Sequence, residues 1–131
     1  MIIRSFIAFT TLVFLLFSNG SCAQDNNVNL LAQKKFETKL NRKNTVLLDV
    51  RTSNEYNAGH IANAVNYNVM DSLAFLQQVS VLDKNKTYLL YCRSGHRSGI
   101  ALNKMKELGF RKVYHLKGGI TDWTGEVVKP Q

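Results

Sequence analysis

The sequence predicts an α/β domain built on a mostly parallel sheet, and three observations carry that expectation. Two runs of strand length, TVLLDV at 45–50 and TYLLY at 87–91, are almost continuously apolar. Runs of this kind suit parallel strands buried on both faces. Segments with helical periodicity, about ten residues long, alternate with such runs. Finally, CRSGHRSG at 92–99 joins the second run to a helical segment. In open parallel sheets, ligands bind beyond the carboxyl ends of the strands.

The elements follow in chain order. Residues 1–23 read as a secretory leader: Arg4 near the start, an apolar stretch from Phe6 to Phe17 broken only by Thr10 and Thr11, then the small residues of SNGSCAQ. The apolar stretch is short for a membrane span. Two cleavage sites fit. Ser21 and Ala23 form a small-x-small site that would cut before Gln24. Alternatively, cleavage before Cys22, preceded by Gly20 and Ser21, would leave that cysteine as the lipid-accepting first residue of a lipoprotein. Asn19 departs from the aliphatic residue usual in that pattern. Either cut exports the protein, to the periplasm or to a lipid anchor on a bacterial membrane. Residues 24–27 read as a polar tether and residues 28–128 as the folded domain.

Within the domain, Val28–Leu31 reads as a first strand and Ala32–Leu40 as a helix with Ala32, Phe36 and Leu40 on one face. Thr45–Val50 is the second strand. Ser53 caps a short helical turn through Tyr56 that Gly59 ends. Asp71 or Ser72 caps a helix to about Val81, with Leu73, Leu76 and Val79 inward. Thr87–Tyr91 is the next strand, and Ser98–Leu108 a helix stopped by Gly109. Lys112–Leu116 is a further strand, Gly118 and Gly119 a turn, and Ile120–Trp123 a closing helical turn. This order places three loops on one sheet edge, after Val50, after Tyr91 and after Leu116.

Composition narrows the function. The 131 residues are 45% apolar and 20% charged, with 17 Lys and Arg against 9 Asp and Glu for a net charge of +8. The basic residues are scattered singly and in pairs, without the run expected of a nucleic-acid surface. A basic surface of this kind attracts small anions. Cys92, His60, His96 and His115 lack metal-ligand spacing, so no metal is expected. The chain has two cysteines, Cys22 and Cys92. With Cys22 cleaved away or lipidated, the exported domain keeps one thiol and no internal disulfide, which marks Cys92 as a candidate reactive group.

The loop itself suggests an anion cradle. A strand-to-helix loop directs several backbone N–H groups at one point, and the helix dipole adds partial positive charge there. Gly95 and Gly99 permit tight backbone geometry. Arg93 and Arg97 add charge. Such surroundings lower a thiol from its ordinary pKa of about 8.5, so Cys92 is expected to be largely thiolate, the nucleophilic form. The alternative is a small buried cysteine in a tight turn, which does not account for the neighbouring arginines.

These residues resemble a known family. CRSGHRS at 92–98 resembles the active-site loop of the rhodanese (sulfurtransferase) domain. LLDVRTSNEYNAGHIANAVNYNV at 47–69 and VYHLKGGITDW at 113–123 resemble its amino- and carboxyl-terminal signatures. The resemblance spans about residues 28–128 and, with the leader, points to a single-domain rhodanese of exported bacterial type. It implies a five-stranded parallel sheet with helices on both faces. It also implies that Cys92 takes the outer sulfur of a donor such as thiosulfate and passes it, as a persulfide, to cyanide or a thiol. No cofactor other than that covalent sulfur is expected. Expected partners are small sulfur-containing anions and an acceptor thiol, which a partner protein could carry. A non-catalytic module, or a carrier or sensor handing its persulfide to a partner, is the other reading.

Four residues separate Cys92 from Arg97, one fewer than in phosphatases that share the fold, which suits a sulfur-sized cradle rather than a phosphate-sized one. Those phosphatases usually carry His where this chain has Tyr91. Arg93 is a candidate for holding a sulfonate through paired N–H donors. Ser94, Gly95, His96, Arg97 and Ser98 complete the expected substrate-binding loop, with Ser98 also a candidate helix cap. Asp49, Arg51 and His60 are expected to be structural residues near the site.

Overall fold

The computed structural model describes residues 28–131; the expected leader, with Cys22, and the tether lie outside the described residues. The elements run β1 (Leu30–Leu31), α1 (Gln33–Leu40), β2 (Thr45–Asp49), α2 (Ser53–Ala58), β3 (His60–Ile61), β4 (Val65–Asn66), α3 (Ser72–Ser80), β5 (Thr87–Tyr91), α4 (His96–Glu107), β6 (Val113–Leu116) and β7 (Val127–Val128). A 3₁₀ turn at Gly119–Asp122 lies between β6 and β7. Five strands form one parallel sheet in the order β1-β6-β5-β2-β4, and β3 pairs antiparallel with β7 in a separate ribbon.

The two long strands earn their place by alternation. Leu47, Leu89 and Tyr91 face one side, where they pack with Phe36 of α1 and Leu116. Leu48, Tyr88 and Leu90 face the other, where they pack with Phe75 and Val79 of α3 and Ala101, Leu102 and Met105 of α4. Each face of a strand two residues in period thus has its own helical cover, which is why the runs are apolar at nearly every position.

Several expectations shift. The short strand β4 carries no apolar run, and its Val65 is exposed. Its place at the sheet edge is held by the Asn66 side-chain amide, which donates to the carbonyls of Asp49 (3.0 Å) and Arg51 (2.8 Å). The β3–β7 ribbon is likewise too short to leave a pattern. Ala32 precedes α1 and is exposed. In α3, Phe75 and Val79 point inward while Leu73 is 70% exposed. The Asp71 side chain accepts from the Ala74 N–H at 3.2 Å and fixes the start of that helix. At 100° per residue, Leu73 then lies nearly opposite Phe75. The cap of α2 is Thr52 rather than Ser53: Thr52 and Glu55 form a reciprocal capping box.

Candidate active site

The three expected loops do meet at one sheet edge. After β5 the chain enters Cys92, climbs through Arg93 and Ser94, and turns into α4 at Gly95, whose φ of 107° is in the region that only glycine adopts readily. Helix α4 therefore begins at His96, two residues earlier than expected, and Ser98 lies in its first turn rather than at its cap. The 3₁₀ turn lies against the loop: the Ile120 N–H donates to Cys92 O at 2.9 Å and the Thr121 N–H to Arg93 O at 3.1 Å. A Cβ on Gly119 would overlap those same two carbonyls, so only glycine permits this approach.

Cys92 is 1% exposed, with its sulfur under the turn into α4. The Gly95 N–H donates to Sγ at 3.1 Å, and Sγ and the Ser98 hydroxyl oxygen are 3.6 Å apart. Burial pushes the thiol up, but the Ser98 hydroxyl and the N–H groups of Ser98, Gly95 and Ser94 outweigh it and hold the thiol below its ordinary range. The leading stabilisers of the thiolate are thus aimed N–H and O–H dipoles, not the arginine charges that the sequence brings forward. Ser98 Oγ also approaches the Gly95 carbonyl at 3.1 Å and His115 Nδ1 at 2.9 Å.

The two loop arginines are placed differently. Arg97 forms a two-pronged pair with Glu55 of α2, 2.7 and 2.8 Å. That pair, with the Thr52 capping contacts, holds the Glu55 carboxyl down at about 2. Arg97 therefore ties the loop to α2. Arg93 is exposed, and its carbonyl anchors the Thr121 hydroxyl at 2.8 Å. Arg93 borders a cavity of about 430 Å³ with Arg51, Glu55, Ile120 and Thr121. Ser94 and His96 are exposed as well.

Beneath the loop lies a buried polar group. Asp49 accepts from the Arg51 guanidinium at 2.6 Å, from the Arg51 N–H at 2.9 Å and from the Tyr91 hydroxyl at 2.7 Å. Tyr91 in turn accepts from the Ile61 N–H at 3.0 Å. Burial and the Asp49 carboxylate push the Tyr91 phenol well above its ordinary range, so it remains a donor. The guanidinium of Arg51 also donates to Gly59 O at 2.7 Å. His60 stacks flat on Tyr56, centroids 3.7 Å apart, with Nδ1 3.0 Å from Tyr56 O. Asp49, Arg51 and His60 thus hold the segments around the loop, and the hydrogen bonds to the sulfur come from Gly95 and Ser98 instead. Sequence reasoning singled out neither Tyr91 nor His115 for a role at the site. The alternation of β6, which puts residues 113 and 115 on the α4 side, was the available signal for the second.

A family model described as a rhodanese-like domain matches residues 32–126. A tRNA uridine(34) hydroxylase of Buchnera aphidicola is 35% identical over 108 residues, covering 79% of this chain and 33% of that protein. The namesake from Onion yellows phytoplasma is 38% identical over 96 residues, covering 71% and 31%. The chain thus spans about a third of the length of these curated relatives. Among solved structures, a rhodanese-like domain protein of Staphylococcus aureus superposes with a TM-score of 0.67 at 25% identity, covering 79% of this chain and 99% of that one. A human single-domain sulfurtransferase shares the fold, with a TM-score of 0.61 at 19% identity and coverage of 72% and 94%.

Proposed function

This chain belongs to the rhodanese-like domain family, and we propose that it is a sulfurtransferase that carries a sulfane sulfur as a persulfide on Cys92. The observation that carries the reading is the sulfur's setting: Cys92 Sγ lies in the turn of N–H groups that opens α4, with the Gly95 N–H at 3.1 Å. The thiolate attacks the outer sulfur of a donor such as thiosulfate, the S–S bond of the donor breaks, and sulfite leaves with the bonding pair. The persulfide then carries its charge on the terminal sulfur, among the same dipoles. A thiol or cyanide acceptor attacks that sulfur and releases the Cys92 thiolate. Arg93, exposed at the rim, is the residue proposed to draw the donor's sulfonate end.

The tRNA hydroxylation in the relatives' name belongs to proteins about two and a half times as long, of which this chain matches about a third.

The test is direct. The full chain is incubated with thiosulfate, its intact mass is measured, and cyanide is added. Wild type gains one sulfur atom and releases thiocyanate, and Cys92→Ser does neither. A wild-type protein that takes up no sulfur from thiosulfate or from any persulfide donor refutes the reading.

A further inference from the structure

Ser98 sits between two groups that can exchange a proton. Its hydroxyl oxygen is 3.6 Å from Cys92 Sγ on one side and 2.9 Å from His115 Nδ1 on the other. The three come from the residue that follows β5, the first turn of α4 and the middle of β6, and all three side chains are buried, with His115 8% exposed. His115 also borders a cavity of about 660 Å³ together with Asn29, His96, Gly99 and Lys106. The chain of contacts therefore runs from the buried sulfur to a space that reaches the protein surface beside α4.

We propose that His115 is a positioning residue that acts through Ser98 as the proton acceptor for Cys92, so that the thiolate forms as an ion pair with an imidazolium inside the domain. The inference rests on the reading of Cys92 as the nucleophile. The step balances without any other reactant. The S–H bond breaks and its proton forms a new O–H bond on Ser98. The original Ser98 hydroxyl proton forms an N–H bond on His115 Nδ1. Ser98 ends as a hydroxyl, no electrons change hands, and the net charge of the buried group is unchanged. The polarity of the chain inverts at the same moment. With a neutral thiol, S–H points at Oγ and O–H at Nδ1. With a thiolate, N–H points at Oγ and O–H at the sulfur. Ser98 has one proton, and beside a neutral thiol it is shared between His115 Nδ1 at 2.9 Å and the Gly95 carbonyl at 3.1 Å; a proton on Nδ1 removes one of those competitors and favours donation to the sulfur. Each charge formed has a partner in place: the thiolate meets the N–H groups of the turn, and the imidazolium meets the Gly95 carbonyl.

The surroundings are consistent with a ring that begins neutral. Burial pushes the His115 ring below its ordinary range, the Gly95 carbonyl opposes that, and the nearby Lys106 adds to it. Around the ring, α4 presents Lys106 and His96, and β5 leads to Cys92. On the β1 side the neighbours are Asn29 and Leu30, which carry no charge. The Lys106 ammonium is bound by Asn29 Oδ1 at 2.8 Å, which holds it at the cavity wall.

The relay is tested by the pH dependence of Cys92 alkylation in the full chain, alongside persulfide formation from thiosulfate. His115→Asn keeps a polar partner for Ser98 but cannot take a proton. It is expected to raise the alkylation midpoint by about one pH unit, which leaves about tenfold less thiolate at any pH well below both midpoints. Ser98→Ala is expected to raise it as well, and the double variant to match Ser98→Ala alone, because the histidine acts only through the hydroxyl. A His115→Asn midpoint equal to wild type, or additive effects in the double variant, overturns the proposal. Nitrogen NMR of the wild-type imidazole provides a reading that needs no variant. Nδ1 of His115 should carry a proton while Cys92 is thiolate and lose it once Cys92 is alkylated at the same pH. A ring whose state ignores alkylation overturns the relay. If the relay fails while wild type still accepts sulfur from thiosulfate, the sulfurtransferase reading stands. If no sulfur is accepted, that reading fails whatever the histidine does.

Discussion

Asp49 illustrates how much one side chain organises here. It is fully buried, and its two oxygens take donors from Arg51 and Tyr91, which themselves reach Gly59 and Ile61. Removing it leaves a guanidinium and a phenol buried without their acceptor, a larger loss than the pair's own net contribution. Asp49→Ala is therefore expected to destabilise the domain by about 3–5 kcal/mol, measured by denaturant unfolding. A loss within the range of a surface substitution would show that water replaces the carboxylate. The sequence flags Cys92 as a lone thiol among arginines and glycines, and Asp49 and Arg51 by their place after the second strand in the motif that carries the resemblance. Tyr91 and His115 were read simply as strand residues, since a hydroxyl or imidazole at the end of an apolar run leaves no pattern of its own.

At the level of elements, the loop is fixed from three directions: by β5 before it, by the 3₁₀ turn that lies on its carbonyls, and by the Arg97–Glu55 pair that ties α4 to α2. Glu55 also closes the capping box of α2, so one carboxylate holds both a helix start and an interhelical link. Its pKa of about 2 is below the ordinary 4.5. A depressed carboxyl stabilises the fold fully above its unfolded pKa and loses that contribution as pH falls through the folded one. The expected result is a stability that declines between about pH 4.5 and pH 2 and a shallower decline in Glu55→Gln, followed by thermal unfolding across that range. Because the pair is partly open to solvent, its effect should also shrink at high salt. An identical acid profile in the variant would mean that other carboxylates carry the acid dependence. Most elements were legible from periodicity and caps, but the rotation of α3 was not. Leu73, Phe75, Leu76 and Val79 offer two apolar faces, and only the Asp71 cap together with the sheet surface selects Phe75 and Val79.

Considered as a whole molecule, the domain is one twisted layer of strands covered on both sides, with its chemistry at the carboxyl edge and a basic overall charge of +8 to draw anions to it. We propose that this unit works outside the cytoplasm, delivered by an amino-terminal leader cleaved before Cys22 and held at a membrane through that cysteine. Cells fed a radioactive fatty acid should incorporate label into wild type, and Cys22→Ser should incorporate none. Label absent from wild type would favour cleavage before Gln24 and a free exported domain. The sequence by itself determined the α/β class and the three loops at the sheet edge, and it singled out Cys92 as the candidate nucleophile. Those rest on local features: apolar runs, caps, glycines and one thiol beside cationic residues. Only the tertiary structure decided which groups the thiol meets. Arg97 turns to Glu55, while Ser98 meets the sulfur and His115, seventeen residues further on, meets Ser98 from the adjoining strand. Side-chain direction in a loop is set by the packing of distant segments, and the spacing of letters along the chain does not encode it.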